Sequence, residues 1–280
     1  MAIKFIVDSA ADIIPAEAEK LGIKHIPMKV RFGDEEFLDA VTLTHSEFYQ
    51  KLEQVQELPT TSQVPPAEFE DAMREIIDGG DEAIVITISS KLSGTYQSAC
   101  IAAEEFPGKV HVIDSLNVCI GQRLLTLRGL ELAKQGLSAC EITESLNKEK
   151  NHIKLYALLD TLEYLKKGGR ISAATAFAGE VLSIKPIITV EDGAVSQVGK
   201  ARGSKQGNKL LRQLVNDCGG INFEKPFACA YSGLNDTMIK KYVEDSDEFT
   251  DKENVSITTV GCSIGTHVGP GAVAIAFFAK

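Results

Sequence analysis

The chain has 280 residues, 44% of them hydrophobic and 24% charged, with a formal net charge of −10. That length allows a full core and tends to split into two domains. The acidic balance opposes a nucleic-acid backbone as the main partner. The first residues include Asp8, Asp12 and Glu17 rather than a basic stretch before a long apolar run, which predicts no typical secretory signal. The apolar tail Ala272 to Ala279 is too short to cross a bilayer. Six cysteines without a C-x-x-C pair suggest neither a zinc site nor a redox motif, and fit a reducing cytoplasm. A soluble cytoplasmic protein is expected, with no integral membrane segment, though transient membrane contact stays open.

In chain order, Ile3 to Val7 reads as a first strand ending at Asp8-Ser9. Asp12 can cap a helix from Pro15 to Leu21 that Gly22 closes. His25 to Val30 and Glu36 to Leu38 flank Phe32-Gly33-Asp34-Glu35, which predicts a hairpin. Thr44 and Glu47 form a capping box. The prolines of Pro59 to Pro66 predict no regular structure, and Pro66 suits the first turn of a helix whose face carries Phe69, Ala72, Met73, Ile76 and Ile77. Ala83 to Ile88 reads as a buried parallel strand, followed by a turn and a helix from Thr95 to Phe106. Val110 to Ile113 is the next strand, Val118 to Gln135 a long helix, and Ser138 with Glu141 a second capping box. This alternation predicts a doubly wound α/β domain over residues 1–152, with ligands bound beyond the carboxyl ends of its strands. Three such ends carry hydroxyls: Ser9, Ser89-Ser90 and Ser115.

From residue 153 to 280 the alternation loosens, which predicts an α+β domain beside the first and a ligand cleft between them. Strands are expected at Ile153–Leu159, Phe227–Tyr231, Ser256–Val260 and Ala272–Phe278, with a hairpin across Glu191-Asp192-Gly193. Helices are expected at Thr161–Lys167, Ser172–Ser183, from Ser204 and from Asn235.

Two stretches stand out chemically. Ser89 to Ser98 places hydroxyls on a strand-to-helix turn, where free N–H groups favour an anion. The plainer reading is that Ser93 only caps the helix. Gly265 to Gly271 wraps three glycines and a proline around His267, as a loop between strands. Thr61, Ser93, Arg170 and His267 supply hydroxyl, guanidinium and imidazole donors and no carboxylate. Such a set suits an anion, and protonated partners offset the cost of taking that anion out of water. Arg170 also fits a helix-end or solvent-facing role. Neither a G-x-x-x-x-G-K-[ST] nor a G-x-G-x-x-G loop is present, and neither is an H-E-x-x-H set. Ser93 is outside any G-x-S-x-G elbow, and these absences count against self-contained catalysis, although Ser93 with His267 could in principle form a hydrolytic dyad.

Several segments then occur in order: Thr60-Thr61-Ser62-Gln63, Ser93 to Ala99, Thr161 to Ser172, Lys185-Pro186-Ile187 and Gly265 to Ala272. Together they resemble the DegV family, which includes the fatty-acid-binding subunits of bacterial fatty acid kinase. The resemblance covers essentially the whole chain. After Asp114-Ser115 it departs, since relatives run through small residues where this chain has Asn117, Cys119 and Arg123.

The resemblance implies a two-domain carrier that holds one long-chain fatty acid in an apolar tunnel and needs no cofactor or metal. A separate ATP-dependent kinase subunit would phosphorylate the carboxylate for transfer to phospholipid synthesis. Carried onto this chain, Thr61 and Ser93 would bind the carboxylate, with His267 and Arg170 completing the polar network. Thr60, Ser62, Gly94 and Thr95 would shape the same floor. Ala174, Phe177, Ala178, Val181 and Leu182 would line the tunnel if their helix faces it, or else form ordinary core. Lys200, Arg202 and Lys205 would form a kinase-docking patch or a solvated turn. The alternatives are a serine esterase or acyl transferase using Ser93 and His267, and a lipid-sensing regulatory protein.

Overall fold

The computed structural model describes residues 2–171 and 184–280. The helix expected at Ser172–Ser183, with its stripe of Ala174, Phe177, Ala178, Val181 and Leu182, lies outside the described residues.

The first part of the chain runs β1 (Ile3–Asp8), α1 (Pro15–Leu21), β2 (Ile23–Ile26), β3 (Lys29–Phe32), β4 (Glu35–Leu38), α2 (His45–Leu52), β5 (Thr60–Ser62), α3 (Pro66–Asp78), β6 (Glu82–Thr87), α4 (Thr95–Ala103), β7 (Val110–Asp114), α5 (Ile120–Lys134) and α6 (Ala139–Glu149). Strands β2-β1-β6-β7 form a parallel sheet in that order. This is the doubly wound layer expected from the alternation of strand and helix. Both capping boxes form, Thr44 with Glu47 at α2 and Ser138 with Glu141 at α6.

Three local readings need correcting. Asp12 does not cap α1, whose N-terminal flank is Ile14 without a side-chain cap. Residues His25 and Ile26 belong to β2, and only β3 and β4 form the hairpin. The proline-bounded segment contains β5, which pairs antiparallel with β3 and sets Thr61 opposite Val30. Pro59 and Pro65 flank the paired residues, so no ladder N–H is lost within them.

The second part runs β8 (Ile153–Leu158), α7 (Glu163–Lys167), β9 (Ile184–Glu191), β10 (Ala194–Arg202), α8 (Gly203–Asp217), β11 (Phe227–Tyr231), α9 (Thr237–Asp245), β12 (Ile257–Thr259), α10 (Cys262–Val268) and β13 (Val273–Phe278). Its sheet has the order β10-β9-β8-β13-β11-β12, antiparallel except between β11 and β12. This is the α+β layer.

Both faces of that sheet are buried, and side-chain alternation sorts them. Tyr156, Leu158, Ile275 and Phe277 join Leu211 and Val215 of α8 and Ile239 of α9 in one core. Leu155, Ala157, Ala274 and Ala276 turn the other way, into a core shared with Phe5, Ile84 and Ile86 of the parallel sheet. Helix α5 packs against strands of both sheets. The two layers therefore meet across one continuous apolar region, and the candidate site opens within it.

The glycine-rich segment around His267 differs from the expected loop. Residues Cys262–Val268 form α10, and Gly269, at φ 69°, ends it. Gly265 lets this helix sit tightly on α2. A Cβ there would meet Phe48 Cε1 and Tyr49 Oη, both at 2.7 Å.

Candidate functional site

A cleft with about 860 Å³ of atom-free space, its mouth included, lies between the inner face of the second sheet and the carboxyl ends of the parallel strands. Its walls are mostly apolar. Leu155 and Ala157 of β8, Ile188 and Val190 of β9, and Ala274 of β13 contribute the sheet face. Ile88, Leu92 and Val118 come from the loops that leave the parallel sheet. Thr61, Ser93, Arg170 and His267 also line it, so four side chains distant in sequence share one cavity.

Strand alternation decides which hydroxyl of Thr60-Thr61-Ser62 can face inward. Thr61 is half-buried and its Oγ1 lies 2.9 Å from His267 Nε2. Thr60 and Ser62 are exposed, and neither is among the residues that line the cleft. Gln63, one place further on, does line it and donates from Nε2 to Ser98 Oγ at 3.0 Å. Its side chain covers Gly94, where a Cβ would fall 2.0 Å from Gln63 Oε1. Gly94 thus supports the floor by being small.

Ser93 sits beneath the start of α4. Its hydroxyl pairs with Thr95 Oγ1 at 2.9 Å and accepts the Thr95 N–H at 3.3 Å. Thr95 is buried and also accepts the Val64 N–H, which ties this turn to the segment after β5. Arg170 follows α7 and donates from Nε to Leu92 O at 3.2 Å and from a terminal nitrogen to Gly168 O at 2.5 Å. Among the described residues it forms no ion pair, so no described carboxylate offsets the positive charge of its guanidinium. Ser93 and His267 share the cleft without a hydrogen bond between them. Ser93 is engaged with Thr95, and His267 Nε2 with Thr61.

The charge of His267 differs from the expected protonated donor. Burial, reinforced by the nearby Arg170 guanidinium, lowers its pKa to about 4, so the imidazole is neutral near pH 7. Its Nδ1 is buried without a partner and lies over Gly168, where a Cβ would come within 2.2 Å.

His267 is held in place from the opposite half of the chain. Asp12 Oδ1 accepts the Gly261 N–H at 2.9 Å. Asp39 accepts the Cys262 and Ser263 N–H groups, one on each carboxylate oxygen, both at 3.0 Å. Tyr49 Oη donates to Val260 O at 2.9 Å. Three successive N–H groups at the start of α10, which lack helical partners, are thereby satisfied by two buried carboxylates. Burial raises the pKa of Asp12 to about 7, against the lowering effect of the Cys119 and Gly261 hydrogen bonds. Nothing in the sequence around Asp12 or Asp39 signals this role, because the partners lie 249 and 223 residues away.

Asp39, His45 and Cys262 also place one ligand-type atom each within 4.8 Å of one another, a donor set that zinc accepts. Asp39 already accepts from the two N–H groups and from the Ser9 hydroxyl at 3.0 Å, so its carboxylate has a structural role without an ion. The same holds for the strand-end hydroxyls. Ser9 bonds Asp39, Ser89 donates to Gly193 O, and Ser115 donates to Asn117 O. None of the three lines the cleft. Lys200, Arg202 and Lys205 are exposed at the end of edge strand β10 and the start of α8, and they do not line the cleft either. Ser263, which sequence reading passed over, does.

The model of the DegV family, described as uncharacterised proteins, matches residues 2–280. A DegV domain-containing protein of Deinococcus radiodurans is 33% identical, over 99% of this chain and 98% of that one. A structure described as fatty acid binding of a DegV family protein from Thermus thermophilus superimposes with a TM-score of 0.88 at 30% identity, covering 100% of both chains. That of DegV from Bacillus subtilis, described as a fatty acid binding protein, gives 0.82 at 31% identity, again over 100% of both. The chain belongs to the DegV family.

Proposed function

We propose that this protein is a fatty-acid carrier, built as two domains over residues 1–152 and 153–280 with the acid held between them. The observation that carries the proposal is an apolar cleft whose polar end holds Thr61, Ser93, His267 and an Arg170 that has no carboxylate partner among the described residues. Burying a long acyl chain at about 0.8 kcal/mol per CH₂ supplies on the order of 10 kcal/mol. The tail can thus provide most of the affinity. Arg170 supplies the charge that compensates the carboxylate, and the hydroxyls of Thr61 and Ser93 supply donors. When neutral His267 donates from Nε2 to Thr61 Oγ1, the Thr61 hydroxyl proton is free to point at a carboxylate oxygen.

In this reading the protein leaves the chemistry to a partner. A cytoplasmic kinase transfers the terminal phosphoryl group of ATP to the presented carboxylate, and the acyl phosphate passes to phospholipid synthesis. The exposed Lys200, Arg202 and Lys205 form the docking patch for that kinase. The hydrolase alternative asks for a Ser93–His267 hydrogen bond and a carboxylate behind the histidine. Both side chains are engaged otherwise, and His267 Nδ1 has no partner.

Native mass spectrometry of the purified protein is the test. A noncovalent mass that matches a fatty acid and disappears on denaturation is expected, as is saturable one-to-one palmitate binding after delipidation. Arg170→Gln should weaken that binding about tenfold, the worth of a charge-assisted hydrogen bond. A protein that carries no lipid and ignores palmitate would overturn the proposal.

A further inference from the structure

Among the described residues that line the cleft, Ser263 carries the one hydroxyl that the fold leaves unengaged. It is 2% exposed, it lines the cavity, and its hydroxyl oxygen is buried without any hydrogen-bond partner. The other polar side chains that line it each have a partner: Thr61 and His267 Nε2 pair with each other, Ser93 with Thr95, Gln63 with Ser98, Arg170 with two carbonyls, and the Cys119 thiol with Asp12, while His267 Nδ1 faces Gly168 without one. A serine inside a helix commonly returns its hydroxyl to the carbonyl one turn back. Thr266 does so, onto Cys262 O at 2.9 Å. Ser263 stands at the beginning of α10, and the residue one turn back, Thr259, belongs to β12. Its backbone is fixed all the same, because Asp39 holds its N–H at 3.0 Å.

A buried hydroxyl of this kind is unfavourable unless something entering the cleft pairs with it. His267 follows Ser263 by one helical turn, so both side chains share a face of α10, with Cβ atoms about 5–6 Å apart. The Ser263 hydroxyl is therefore one short step along the cleft from the polar end. We infer that Ser263 is a specificity-determining residue, pairing with a polar group on the acyl chain near its carboxyl end, so that the cleft favours β-hydroxy fatty acids over the plain acids. This inference rests on the fatty-acid reading of the same site and deepens it.

The delipidated full chain and its Ser263→Ala variant are titrated with palmitate, β-hydroxypalmitate and ω-hydroxypalmitate. The wild type should bind the β-hydroxy acid about tenfold more tightly than palmitate, and the ω-hydroxy acid without such a gain. Ser263→Ala should erase the preference while binding palmitate at least as well as the wild type, since it removes an unpaired polar atom from an apolar wall. Equal affinities in the wild type, or a preference that survives in Ser263→Ala, would overturn the inference and leave palmitate binding intact. Failure of all three acids to bind would instead overturn the fatty-acid reading, and this inference with it.

Discussion

Asp39→Asn tests whether the site depends on its distant anchor. In the folded chain the carboxylate accepts the Cys262 N–H, the Ser263 N–H and the Ser9 hydroxyl, each at 3.0 Å, and is fully buried. Asparagine keeps the shape, leaves one acceptor oxygen, and turns an amide NH₂ toward a donor. Hydrogen bonds to a charged group contribute about 1.5–3 kcal/mol each, and removing the charge also relieves its desolvation. A net loss of about 2–4 kcal/mol is expected, which a domain of ordinary stability survives. Because α10 carries both Cys262 and His267, loosening its start should also disturb the His267–Thr61 contact, costing about tenfold in palmitate affinity. Urea denaturation gives the first quantity and calorimetric titration of delipidated protein the second. Leu211→Ala is the control. Leu211 is buried in the core on the far face of the sheet, and its truncation should cost a similar 2–5 kcal/mol without touching affinity. If Asp39→Asn lost stability but bound palmitate as the wild type does, the anchor would have no part in the site. Unchanged stability would refute the anchoring itself.

Three further outcomes can be measured. The ring-proton NMR signals of His267 should titrate near pH 4 in the ligand-free protein and at higher pH with a fatty acid bound, because an adjacent carboxylate favours the imidazolium; an unmoved midpoint would place the carboxylate elsewhere. Between the ordinary 6.5 and the folded value of about 4, the unfolded chain binds this proton first, so the stability contribution of His267 is full above about pH 6.5 and is lost as pH falls through that window. Asp12, raised to about 7, has the opposite sign and loses its contribution as pH rises, so the local signal and not the melting curve is the proper readout. Gly168→Ala keeps an allowed helical backbone (φ −74°) but drives a methyl group into His267, and should lower palmitate affinity several-fold at a stability cost of about 1–3 kcal/mol; normal affinity would mean that the ring position is unimportant. Ala274→Val adds bulk to the apolar wall and should shift the preferred acid to a shorter chain, each lost buried CH₂ costing about 0.8 kcal/mol; an unchanged chain-length profile would remove this wall from the acyl path.

Much of the fold could be read from local chemistry. Capping boxes, Pro15 and Pro66 at helix starts, and branched apolar runs such as Ala83 to Ile88 each act over a few residues, and the elements appear where they point. What escaped reading depends on remote partners. β5 is a strand because β3 lies beside it, and three residues between prolines carry no periodic signal. α10 looked like a loop because Gly265, needed for contact with Phe48 and Tyr49, and the terminating Gly269 resemble loop glycines in sequence. Thr61, Ser93, Arg170 and His267 could be named from their motifs, and the chain brings all four to one cleft. The neutral state of His267, the outward-facing Thr60 and Ser62, and the anchoring by Asp12 and Asp39 follow from burial and long-range packing, which sequence spacing does not encode.

The most direct test is carbon NMR of bound palmitate labelled at its carboxyl carbon. One bound signal is expected, remaining in the ionised form to a pH well below the midpoint of free acid, because Arg170 and the hydroxyl donors favour the charged state. It should shift in Arg170→Gln and in Thr61→Val. A bound signal that titrates like free palmitate and is indifferent to both substitutions would contradict a carboxylate held at this end of the cleft.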